Sequence, residues 1–102
     1  MARKKILNEI IKAVATVDPQ AEVYLFGSRA RGDYRKDSDW DIFILTPNDI
    51  NEKDKDKYYD ILNDVEIEND MAIGCVVRSK ANWEKFQAIP LYQNIRNEGV
   101  RL

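Results

Sequence analysis

Apolar residues recur at helical spacing over residues 3–17, where Ile6, Leu7, Ile10, Ile11, Val14 and Val17 are separated by charged and polar positions. That period predicts an amphipathic helix. Asp18-Pro19 ends it, because proline pushes the residue before it out of the α region. The pattern then changes. "AEVYLF", 21–26, is short, β-branched and aromatic, and apolar on both faces, which predicts an interior strand. "SRARG" fits a turn or two of helix stopped by Gly32, and "DYRKDS" reads as a polar loop. "DWDIFIL", 39–45, predicts a second strand, again apolar on both faces beyond its start.

"TPND", 46–49, supplies turn and cap residues ahead of a helix over about 50–67. Its buried stripe is Tyr58, Ile61, Leu62 and Val65, and its early "NEKDKDK" is a solvated charge run. "MAIGCVV", 71–77, reads as a third strand. Ser79 is a good N-cap for a short helix over "SKANWEKF", with Trp83 and Phe86 as packing residues. Pro90 at a first helical position and Gly99 just past the end frame a last helix with Leu91, Tyr92 and Ile95 on its apolar face. The order α-β-α-β-α-β-α-α predicts an α/β architecture: a small sheet of three strands or slightly more, covered by helices. No repeat or linker divides residues 1–102, so a single domain is expected.

Composition narrows the chemistry. The 102 residues are 44% hydrophobic and 33% charged, and none is histidine. Ser-His-Asp hydrolysis, Cys-His chemistry and zinc sites of the usual kind are therefore excluded. The one cysteine, Cys75, lies in an apolar run and reads as a core thiol. A disulfide framework is excluded, and a reducing, cytoplasmic setting is expected. A net charge of −2 argues against bulk nucleic-acid binding. No apolar run approaches the roughly 18–20 residues that a membrane span needs.

Two features within "LFGSRARGDYRKDSDWDIFIL", 25–45, carry chemistry. Asp39 and Asp41 share one face of a strand start, roughly 6.5–7 Å apart along the chain, while Trp40, Ile42 and Ile44 face the core. Like charges so placed are comfortable with a cation between them, and hard oxygen ligands suit Mg²⁺ or Mn²⁺. Upstream, Gly27 lets the backbone approach a ligand, the following helix start offers N–H groups to an anion, and Ser28 adds a hydroxyl donor. Arg29 and Arg31 add positive charge nearby. Taken singly, the acidic pair is a solvated strand edge and Gly-Ser is a helix cap. Their order along the chain is what points to phosphoryl or nucleotidyl transfer.

"GSRARG" followed by "SDWD" resembles the G-S-x-A-R-G…S-D-x-D signature of nucleotidyltransferases with the DNA polymerase β-type fold. The small size looks like the minimal nucleotidyltransferase branch, often encoded beside a HEPN-domain partner. The resemblance implies a small mixed sheet flanked by helices, with Gly27 and Ser28 holding a triphosphate and Asp39 and Asp41 binding Mg²⁺. Arg29 and Arg31 lie within the motif as candidates for phosphate contact, Arg31 equally for a structural role. It implies transfer of AMP from ATP to a hydroxyl, in this branch a tyrosine of a HEPN-type toxin, which would make the chain an antitoxin.

The family usually carries a third carboxylate on the next strand, and "MAIGCVV" has none. Asp70, just before that strand, is the candidate. A parallel crossover through the long helix would bring it to the Asp39 end. Without a third acid, the alternative is a nucleotide- or partner-binding module of the same fold. At this length no separate base-recognition domain fits, so a partner or a second copy is expected to complete the acceptor site.

Overall fold

In the computed structural model, which describes residues 2–102 and the side chains from Lys5 onward, the first helix, α1 (Ala2–Val17), buries Ile6, Ile10, Ala13 and Val14 along one stripe. The Asp18 amide closes it on the Val14 carbonyl at 3.0 Å. The chain then runs through β1 (Glu22–Phe26), the short helix α2 (Ser28–Arg31), β2 (Trp40–Thr46), the long helix α3 (Glu52–Asn69) and β3 (Ile73–Ser79). It ends with α4 (Lys80–Glu84), α5 (Pro90–Glu98) and β4 (Val100–Arg101).

The four strands form one sheet in the order β3-β2-β1-β4. β1 pairs antiparallel with β2 and with β4, and β2 pairs parallel with β3. The parallel pair follows from the α3 crossover, which is long enough to carry the chain back to the starting end. α3 is fixed at its start by a reciprocal capping box between Asn51 and Asp54.

The sheet is covered on both faces. Val23, Leu25, Trp40, Ile42, Ile44 and Val77 pack against α1 and against Tyr58, Leu62 and Val65 of α3. Phe43 and Leu45 pack against Trp83, Tyr92 and Ile95 on the opposite face. There Trp83 lies between Phe43 and Tyr92, with ring centroids 4.4 Å and 4.6 Å apart.

The structure corrects the pattern-based reading in several places. The third strand is 73–79 and not 71–77, because Asp70 closes α3 in a left-handed conformation and the Met71 amide still bonds back to the Glu66 carbonyl. A fourth strand follows α5. The helix started by Ser79 stops at Glu84, so Phe86 falls in the following turn and is exposed, while Trp83 is buried. Pro90 does open α5, and Gly99 caps it through its amide on the Ile95 carbonyl.

Candidate active site

The site lies where β1 and β2 meet. Phe26, the last residue of β1, pairs with Asp41, and Gly74 of β3 pairs with Asp41 on its other side. Asp41 projects to the same sheet face as Phe43 and Leu45, as two-residue alternation requires. Both neighbouring glycines make room for its carboxylate. A β-carbon on Gly27 would lie 2.1 Å from Oδ2, and one on Gly74 would lie 3.1 Å from Oδ1. Gly27 also has φ of 75°, outside the range that other residues adopt readily. Gly74 escaped the sequence reading. The signal that finds it is the parallel register, which sets it opposite Asp41.

Gly27 is the N-cap of α2 and makes no side-chain cap bond, so Ser28 is the first residue of the helix and not its cap. Among the described residues the Ser28 hydroxyl has no hydrogen-bond partner. The turn ends at Gly32, whose amide bonds to the Ser28 carbonyl.

Arg29 serves the loop. It is buried, and its guanidinium donates to the carbonyls of Lys36 at 3.1 Å and of Ser38 at 3.0 Å and 3.2 Å. Its carbon lies 4.7 Å from the Tyr34 ring centroid and 4.1 Å from that of Trp40. The residues that lead into Asp39 are thereby strapped to α2.

Arg31 is half-exposed and reaches Glu98 at 3.1 Å and Asp33 at 3.2 Å. Burial pushes the Asp41 carboxyl above its usual range, the charge of Asp39 pushes it further, and the Arg31 guanidinium opposes both. Asp39 and Arg31 thus both act on Asp41.

Asp70 stands at the far end of the α3 crossover. It is exposed at the C-cap of α3, beside a groove shared with Asn63, Glu66 and Ala72, and it is absent from the charges that act on Asp41. Among the described residues no three acidic, cysteine or histidine side chains gather into a metal-holding group. The residue opposite Asp41 on β3 is Gly74, and β3 itself carries no acidic residue. Cys75 points to the α1–α3 side, and burial pushes its thiol up to about 12, which disfavours the thiolate.

A small α/β sheet with a glycine-serine turn packed against one carboxylate, and a second carboxylate acting on the first, is the arrangement expected of nucleotide-transferring enzymes. The chain belongs to the nucleotidyltransferase domain family, which matches residues 7–98. A relative from Methanocaldococcus jannaschii, provisionally named a protein adenylyltransferase, is 35% identical over 100 residues, covering 96% of each chain.

Among solved structures, a toxin-antitoxin pair with AMP-PNP matches with a TM-score of 0.68 and 22% identity, over 92% of this chain and 69% of that one. A complex of the tri-AMPylated HEPN toxin of Shewanella oneidensis with an MNT antitoxin matches with a TM-score of 0.62 and 19% identity, over 99% and 71%. At these identities the two structures establish the shared fold. Among the described residues no helix is long and apolar enough to cross a membrane.

Proposed function

We propose that this chain transfers AMP from ATP to a protein hydroxyl, with Asp39 and Asp41 holding a divalent cation. The observation that carries the reading is the setting of Asp41: clasped between two glycines, partly desolvated, and loaded by the charge of Asp39. A pair that repels itself in this way fits a cation, and its carboxylate oxygens suit Mg²⁺ or Mn²⁺. Bound there, the metal would supply charge neutralisation at the phosphate oxygens.

The chain's own residues do the rest. Gly27 gives a nucleotide close access to the backbone, and the Ser28 amide and hydroxyl offer donors to phosphate oxygens. Arg31 adds a guanidinium on the open side. Arg29 sets the loop that carries Asp39. In the transfer, a bond forms between the acceptor oxygen and the α-phosphorus as the bond to pyrophosphate breaks. The acceptor proton must leave, and with Asp70 apart from the pair, its base comes from the acceptor protein or from water.

A tyrosine of a HEPN-type toxin is the acceptor that the motif resemblance implies, which assigns this chain the antitoxin role. Support comes from the relative named as a protein adenylyltransferase and from the fold shared with antitoxins of such complexes.

The second reading is a binding module of the same fold, and the lack of an acidic residue on β3 favours it. Incubation with ATP, Mg²⁺ and a HEPN-type protein encoded beside this chain, read by mass spectrometry, separates the two. An AMP adduct on a partner tyrosine supports the enzyme. Nucleotide binding without any adduct supports the module.

A further inference from the structure

The sequence motif directs attention to Arg31, but a residue far from the motif decides where Arg31 stands. Its Nε donates to Asp33 at 3.2 Å, and its Nη1 donates to Glu98 at 3.1 Å. Nη2 has no partner among the described residues. A guanidinium is a rigid planar fork, so fixing one edge aims the other.

The two ties are not equivalent. Asp33 lies two residues on, in the exposed segment just past α2, with 63% of its side chain exposed. Glu98 is the last residue of α5, and its side chain is 24% exposed. α5 is anchored by buried Tyr92 and Ile95 and continues into β4, which pairs with β1. Glu98 therefore ties Arg31 to the sheet that also carries Asp41.

We propose that Glu98 is a positioning residue for Arg31: it holds one edge of the guanidinium beside the Asp39–Asp41 pair and leaves the Nη2 edge for a nucleotide phosphate. The inference rests on the nucleotide-binding reading of this site. Geometry separates it from simple competition, in which Glu98 would occupy the phosphate-binding edge. With Nε on Asp33 and one Nη1 hydrogen on Glu98, the Nη2 hydrogens stay available for charge-assisted bonds. Holding such a donor in place before the ligand arrives lowers the ordering cost of binding.

The test is a double-mutant cycle on the full chain. Affinity for α,β-methylene ATP with Mg²⁺, a nucleotide that cannot transfer AMP, is measured by calorimetry for the parent, Glu98→Gln, Arg31→Ala and the double variant. Melting temperatures accompany each titration to establish that every variant is folded. Glu98→Gln is expected to weaken binding about two- to fivefold in the parent background and to change nothing in the Arg31→Ala background. Glu98→Asp should recover part of the loss.

Tighter binding in Glu98→Gln would overturn the inference in favour of competition. An equal loss in both backgrounds would overturn it in favour of a role unrelated to Arg31. If Arg31→Ala leaves affinity unchanged while the parent still binds the analogue, Arg31 is no phosphate ligand and the inference fails with it. If the parent does not bind the analogue at all, the nucleotide reading itself fails.

Discussion

Asp41 stands against Gly27 so closely that a β-carbon there would lie 2.1 Å from its Oδ2 atom. The strand end, the turn and the carboxylate are therefore one packed unit. Gly27→Ala must displace the Asp41 carboxylate and also hold alanine at φ of 75°. The expected result is a stability loss of about 1–3 kcal/mol and a fall in nucleotide affinity of about tenfold or more. Thermal melting and titration with the ATP analogue check both, and parent-like affinity would separate the turn from binding.

The raised Asp41 carboxyl makes a prediction in pH. Its folded value lies above the ordinary 3.8, so the unfolded chain ionises first as pH rises. Its contribution to stability is full below 3.8 and is lost as pH climbs through the folded value. Asp41→Asn cannot ionise. It should melt higher than the parent at pH 7 and lose that advantage at about pH 3. Mg²⁺ should narrow the gap at pH 7 by raising the parent alone. A variant that melts below the parent at pH 7 would contradict the assignment.

Glu22 behaves in the opposite sense. The ion pair to Lys80 at 2.7 Å and the hydroxyl of Tyr24 at 2.6 Å hold its carboxyl below the ordinary 4.5. The stability it contributes is present above 4.5 and is lost as pH falls through the lowered folded value. Glu22→Gln is expected to cost about 1 kcal/mol at pH 7 and to cost less in acid, where the parent also loses the charge. Chemical denaturation at the two pH values reads the difference.

Arg29→Lys keeps the charge and removes the fork that meets Lys36, Ser38 and two aromatic rings. A loss of about 1–3 kcal/mol is expected, with faster amide exchange over residues 33–39. Exchange that rises elsewhere but not in this loop would show that the strap is not what orders it.

Much of this was legible in the sequence where a pattern has length. The 3.6-residue period marks α1 and α3, the apolar runs mark β1 and β2, and the side-chain alternation separates Asp41 from Trp40 and Ile42. β4 is only two residues long, so no periodicity can announce it. β3 begins late because the helix end takes up Asp70 and Met71 first, a cap geometry that composition does not encode. At the site, the motif points to Gly27, Ser28, Asp39 and Asp41, which are neighbours along the chain. For Arg29 it names the residue but not its setting among Tyr34, Trp40 and the loop carbonyls, which no local pattern encodes. Gly74 and Glu98 reach the site only through sheet register and helix packing, which act between distant residues.

The central claim is that Asp39 and Asp41 jointly hold a metal-nucleotide complex, and calorimetric titration of the double variant Asp39→Asn/Asp41→Asn with α,β-methylene ATP tests it most directly. With Mg²⁺ present, the parent should bind the analogue, and the double variant, melting no lower than the parent, should show no Mg²⁺-dependent binding. Equal Mg²⁺-dependent affinity in the two proteins would contradict the account.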